Sequence, residues 1–184
     1  MKSITGSVPL SLVRHQQSPC QAIRGIDVLV GGAPGGILTL AFALEGDLYG
    51  MRMPESRPPR QTAGLWRHTC FEAFVMAGEG PGYREFHFSP SGQWAVLAFR
   101  GYRDAVELEV ELAPGFVVRR SRDRLELDAE IRPDCLPPGR SLRLGLSAVL
   151  EDADGVLSYW ALRHPPGKPD FHHNDAFAIQ LVLP

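Results

Sequence analysis

Apolar and polar side chains alternate along most of this chain with a period of two. In Val106–Leu112 (VELEVEL), Val106, Leu108, Val110 and Leu112 fall on one side and Glu107, Glu109 and Glu111 on the other. Arg124–Ile131 (RLELDAEI) repeats the pattern, with Leu125, Leu127, Ala129 and Ile131 opposite Glu126, Asp128 and Glu130. Successive side chains of an extended strand point to opposite faces, so each segment predicts a strand with one buried face. The same reading covers Val8–His15, Ala22–Val30, Ile37–Glu45, Gln93–Arg100, Phe116–Arg119, Leu142–Leu150, Leu157–His164 and Phe177–Leu183. Pro9 puts the first of these at a sheet edge, because proline cannot donate to a ladder. Asp47–Met53 leads into Pro54–Gln61 (PESRPPRQ), whose adjacent prolines predict a surface loop.

One stretch departs from the simple pattern. Gly64–Trp94 holds two of the three tryptophans and two of the six histidines in two segments joined by AGEGPG. Over Thr69–Met76, Cys70, Glu72, Phe74 and Met76 share a face, opposite Phe71, Ala73 and Val75. Over Tyr83–Phe88, Tyr83, Glu85 and His87 share a face, opposite Arg84, Phe86 and Phe88. The joining glycines and proline are turn chemistry, so the stretch predicts a β-hairpin with acids and a histidine on one face.

Eleven or twelve short strands separated by Gly, Pro and Asp, with no amphipathic helix, predict an all-β fold. The expectation is an antiparallel β-sandwich with jelly-roll-like topology, in a single domain spanning residues 1–184. Composition agrees: 19 Gly and 16 Pro favour turns, and 44% hydrophobic with 22% charged residues suit a globular chain. A net charge of -2 gives no electrostatic footprint for nucleic acid or an anionic membrane. Cys20, Cys70 and Cys135 are widely spaced and form no CxxC pair, so neither a disulfide framework nor a zinc knuckle is expected. Residues 1–20 lack an apolar core of the signal-peptide kind, and no transmembrane span follows, which predicts a cytoplasmic protein.

The chemistry centres on polar side chains opposite clean apolar faces: Glu72, Glu85, His87, Asp128, Glu130, Arg143 and Ser147. For any single strand the plain alternative is a solvated outer face. Aromatic company argues for more: Trp66 sits at the mouth of the hairpin, and Trp160 shares its strand face with Ser158, Leu162 and His164. Carboxylates and an arginine exchange hydrogen bonds with sugar hydroxyls, and indole stacks on the apolar face of a pyranose. A metal site is not expected. His172 and His173 are adjacent and point apart in extended chain, and although His164 and Asp175 could converge on one of them, no HxH or HExxH spacing occurs. GxSxG is absent, and Cys70 and His68 gain no catalytic partner. Glu72, Glu85 and Glu130 could supply a glycosidase-like pair, yet spacing alone gives no separation, so catalysis is the lesser reading. Glu151, Asp152 and Asp154 in EDADG read as a turn before they read as calcium ligands.

Three motifs in order, LWRHTCFEAFV, YREFHFSPSGQW and YWALRHPPGKPDFHHNDAF, resemble the bacterial DOMON-like proteins. These group with the DOMON and family-nine carbohydrate-binding module superfamily, and the likeness spans about Leu12 to Leu183. The resemblance implies a β-sandwich with a non-catalytic, ligand-binding role. Relatives bind sugars through stacked Trp residues or haem b through axial Met and His. For sugar it points to Trp66, Glu72 and Trp160, to which the reading of the polar strand faces adds Arg67, Glu85, His87 and Arg143 as hydrogen-bonding partners. For haem it points to Met51 or Met53 with His164, a sound axial pair. The leading expectation is a small carbohydrate-like ligand, such as a soluble sugar, a sugar nucleotide or a cell-wall precursor, with no cofactor. Haem binding and a structural or protein-interaction sandwich stand as the alternatives.

Overall fold

The computed structural model describes residues 2–4, 6–77, 80–108 and 113–184 of the chain. Thirteen strands run through them: β1 (Lys2–Ile4), β2 (Val8–Arg14), β3 (Ile23–Ala33), β4 (Ile37–Gly46), β5 (Cys70–Ala77), β6 (Tyr83–Phe88) and β7 (Trp94–Gly101), then β8 (Asp104–Val106), β9 (Gly115–Arg120), β10 (Arg124–Ile131), β11 (Ser141–Glu151), β12 (Leu157–Ala161) and β13 (Ile179–Val182). The helical elements among the described residues are 3-10 turns of three residues each.

Hydrogen bonding follows one path, β8-β7-β6-β5-β11-β12-β2-β3-β4-β10-β9, and every pairing on it is antiparallel. β13 pairs antiparallel with the first half of β11, and β1 joins β13 in parallel. The path turns over at β2. That strand pairs with β3 from Val8 to Leu12, but with β12 only through Arg14↔Trp160 and Val13↔Ala161. Two layers result: a front sheet from β8 to β12 and a back sheet from β2 to β9. The fold is an antiparallel β-sandwich.

Alternation decides what lies between the layers. Leu38, Leu40, Phe42 and Leu44 of β4 and Leu125, Leu127, Ala129 and Ile131 of β10 face Phe71, Ala73 and Val75 of β5 and Leu142, Leu144, Leu146, Ala148 and Leu150 of β11. Trp94 and Trp160 join this core. Each sheet keeps its register because a one-residue slip would expose its whole apolar set.

β6 and β10 coincide with the segments predicted from periodicity. The expected strand over Val106–Leu112 is met only at its first residue, since β8 ends at Val106 and residues 109–112 lie outside those described. β1 was not foreseen; three residues carry no measurable period. Asp47–Met53 contains a 3-10 turn, Leu48–Gly50, whose first amides are capped when the Asp47 carboxylate accepts from the Tyr49 N–H at 3.1 Å. The proline-rich segment is more than a surface loop. Arg57 N–H donates to Ser91 O (2.7 Å), Trp94 N–H to Arg60 O (3.2 Å) and Thr62 N–H to Trp94 O (2.8 Å), which stitches it to the β6–β7 turn.

Candidate functional site

β5 is buried on both faces, whereas the alternation of a half-exposed strand would leave one face wet. The cause is the segment that follows β12, residues 162–178, which lies across the outer face of the front sheet. Phe74, Met76, Tyr83 and Phe177 form a second apolar cluster there, with Phe99 and Phe171 packed against it. Gly145 makes the approach possible: a Cβ at that position would stand 3.0 Å from Ala176 O. His164 Nε2 donates to Val13 O (2.7 Å) and His15 Nε2 to Gly167 O (3.1 Å), fixing the start of the segment to β2. Its middle is held at Asp170, whose carboxylate accepts from Tyr102 OH (2.6 Å) and Arg103 Nη2 (3.0 Å). Arg103 itself sits in the left-handed region, at φ 54°, and its N–H donates to Tyr83 OH.

Between this segment and the sheet a cleft of about 410 Å³ remains. Trp66, on the 3-10 turn Leu65–Arg67, forms its rim and is 48% exposed. Phe99, Tyr159 and Phe171 supply aromatic wall, while Glu72, Glu85, His172 and Arg103 supply polar atoms. Register explains the gathering. Ser147, Glu72 and His87 lie side by side across β11, β5 and β6, and Gly145, Phe74, Glu85 and Leu97 form the next row.

The floor is ionisable and buried. His87 Nε2 lies 2.6 Å from Glu85 Oε1 and 3.8 Å from Glu72 Oε1, and all three side chains are buried. Ser147 Oγ donates to Glu72 Oε2 at 2.9 Å. Burial, opposed by the neighbouring His87 and aided by Glu85, pushes the Glu72 carboxyl up to about 7. For His87, burial disfavours the imidazolium, but the bond to Glu85 and the charge of Glu72 outweigh it and raise the pKa above the ordinary value. His172 moves the other way: burial lowers it, so the neutral ring prevails. Its Nδ1 then accepts from Tyr83 OH (2.8 Å), with Nε2 directed toward Glu85 Oε2 at 4.0 Å.

Of the residues named from sequence, the structure brings Trp66, Glu72 and Glu85 into the cleft with His87 between the two acids. Arg67 turns outward, its guanidinium 5.2 Å from the Trp66 ring centroid, and lines a separate cleft. Arg143 is one row away, bonded to Met76 Sδ and to Asn174 O and Oδ1. Trp160 belongs elsewhere. Its strand parity turns it into the inter-sheet core, 5% exposed, where Nε1 donates to Ser158 Oγ. Asp128 and Glu130 lie on the outer face of the back sheet, because their apolar neighbours on β10 fill the core from the opposite layer.

The methionines and the histidine of the haem alternative stand at opposite ends of the β11–β12 hairpin. Met51 is buried in the core and bridges Asp152 at the turn end of the β11–β12 hairpin, with Met53 packed beside it. His164 follows the other end of β12, with Ala161 already paired at Ser147, four residues along β11 from Glu151. His172 and His173 do point apart, the first toward Tyr83 and the second accepting from Asp175 N–H. In EDADG, Asp152 Oδ1 accepts from the N–H groups of Asp154 and Val156, while Glu151 pairs with Arg52 and His68. It is a turn.

Cys70, Glu72 and His87 place donor atoms within 4.8 Å of one another, and His87 Nδ1 has no hydrogen-bond partner among the described residues. Burial and the Glu72 charge push the Cys70 thiol well up, and it packs with Leu65 and Ala95 as a small apolar side chain. Sequence reasoning missed Tyr159, Phe99, Phe171, His172 and Arg103 as cleft residues. The aromatic run FHH in the closing loop was the available signal.

No protein-family model and no curated protein matches this chain. Solved structures do resemble it in fold. A Bacteroides uniformis ATCC 8492 protein described as a "putative carbohydrate-binding protein" superposes with a TM-score of 0.69 at 14% identity, over 98% of this chain and 87% of that one. A family 9 carbohydrate-binding module from Caldicellulosiruptor kristjanssonii is similar in two complexes. With cellotriose the TM-score is 0.57 at 10% identity, covering 95% and 82% of the two chains. With glucose it is 0.58 at 9% identity, covering 99% and 94%.

Proposed function

We propose that this protein is a non-catalytic module that binds a small carbohydrate-like ligand in the cleft beneath Trp66. The observation that carries the reading is a half-exposed indole at the rim of an aromatic-walled cleft floored by two carboxylates. A pyranose offers an apolar face and a ring of hydroxyls. Trp66 and Tyr159 suit the face, and Glu72 and Glu85 suit the hydroxyls, each carboxylate oxygen being an acceptor. The cleft volume falls in the range of small-molecule sites. The fold shared with sugar-bound family 9 modules supports the same reading, as does the motif resemblance to DOMON-like proteins.

Titration with a panel of mono- and disaccharides, followed by tryptophan fluorescence, tests it. Trp94 and Trp160 are buried, so the response should come from Trp66 and be lost in Trp66→Phe. A full panel without any response refutes the proposal.

A further inference from the structure

Beyond the Leu65–Arg67 turn the front face carries a second cleft, of about 460 Å³. The two clefts lie side by side. Trp66 lines the first and Arg67 the second, and on β11 Val149 faces the first while Glu151, two residues on, faces the second. Their chemistry differs. The first is floored by acids; the second is rimmed by three guanidinium groups, Arg52, Arg57 and Arg67, together with His68.

The acids nearby do not neutralise this set. Glu151 is shared, its Oε1 taken by Arg52 (2.7 Å) and its Oε2 by His68 (2.6 Å). Arg57 and Arg67 form no ion pair among the described residues, and Glu55 is the one other acid of the lining. Both free cations are presented on braced backbone. Arg57 stands in the proline-rich segment, where its own N–H is bonded to Ser91 O at 2.7 Å and Arg60 O accepts from Trp94. Arg67 is steadied by stacking on Trp66. The floor between them consists of buried Ser89, Ser91 and Gln93, joined by hydrogen bonds to one another and to Thr62. A planar, rigidly held guanidinium is suited to a carboxylate or phosphate.

We infer that the second cleft takes the anionic group, carboxylate or phosphate, of an acidic saccharide whose ring occupies the first. This inference rests on the carbohydrate reading above, and it narrows the ligand from any sugar to an acidic one.

Calorimetric titration of the intact protein with glucose, glucuronate and glucose 6-phosphate separates the two claims. The acidic sugars should bind about tenfold more tightly than glucose at low ionic strength, the worth of one charge-assisted pair. That gain should vanish near 1 M salt, where the Debye length falls to about 3 Å. Arg57→Gln should bring the acidic sugars down to the affinity of glucose and leave glucose itself unchanged. Equal affinity for all three sugars overturns the inference and leaves the carbohydrate reading standing. A preference for acidic sugars that Arg57→Gln does not alter overturns the placement in this cleft. No binding of any of the three, together with a silent neutral panel, removes both readings.

Discussion

His87 and Glu85 face each other across 2.6 Å, two residues apart on β6 and buried beneath the cleft. Glu72 stands on the far side of the same imidazole nitrogen. Burying three ionisable groups beneath a cleft opposes folding, and a well-packed apolar floor of similar volume would serve stability as well or better. The groups sit where two carboxylates can be offered to a guest and one of them stays partly protonated. This is the pattern expected when a perturbed titration is kept for binding.

The first prediction is a pH dependence of stability set by Glu72. Its proton is held up to about 7 in the folded state against an ordinary value of 4.5, so the folded chain carries more protons between those limits. Stability from this group is therefore complete below about 4.5, falls as pH rises through 7, and is flat above. The raised His87 acts in the same direction, while His172 and His164, held low by burial, act in the opposite one. Taking the difference between wild type and Glu72→Gln cancels His172 and His164, and leaves Glu72 together with the part of the His87 shift that Glu72 causes. Urea unfolding should show the variant gaining about 2 kcal/mol relative to wild type between pH 5 and pH 8. A pH-independent difference contradicts the assignment.

Trp66 and Trp160 should separate binding from stability. Trp160→Ala removes an indole from the inter-sheet core and should cost about 3–5 kcal/mol. Trp66→Ala changes a rim residue and should leave unfolding within about 0.5 kcal/mol while weakening sugar binding at least about tenfold. The reverse ranking in denaturation would show that the two faces are misassigned.

Gly145 governs how closely the segment 162–178 can lie on the sheet. In Gly145→Val, the new side chain meets Ala176 O and Phe74 Cβ, a crowding expected to cost about 1–3 kcal/mol. Hydrogen exchange should accelerate in the segment and not in β4 or β10. Uniform acceleration across both sheets would mean that the segment is not a separable cover.

Tyr83 ties the same cover to the sheet through His172 and accepts from Arg103 N–H. Tyr83→Phe leaves that amide without its acceptor and should cost about 1–2 kcal/mol, with ligand affinity falling as Arg103 and Phe171 lose their positions. Unchanged affinity and unchanged stability together would rule out this role.

Much of this fold was legible as a pattern of two. Leu125, Leu127, Ala129 and Ile131 announce their face because the opposite one, with Glu126, Asp128 and Glu130, meets only solvent and surface arginines. β5 hid its situation for the opposite reason. Cys70, Glu72, Phe74 and Met76 mix polar and apolar types because their face is covered, Cys70 by Leu65 and the rest of the strand by chain about 100 residues away, and no local period reports such a cover. Trp160 was misplaced by judging its strand face from Ser158 and His164, since a polar atom bonded within the core leaves the same trace as one in water. The second cleft was missed because PESRPPRQ looks like any exposed loop until its backbone bonds to the 89–94 turn are seen.

The two-sided burial of β5 also bears on how such a domain can change its guest. Phe71, Ala73 and Val75 answer to the opposite sheet, while Glu72 and Phe74 answer to the cleft, its cover and their neighbours on the same sheet face, Ser147 and His87 among them. Neighbouring codons therefore carry separate constraints along a single strand. On the proposed reading, randomising Glu72, Glu85 and His87 together, with the odd-numbered residues of β5 held fixed, varies the floor of the cleft while keeping the apolar face that packs on the opposite sheet.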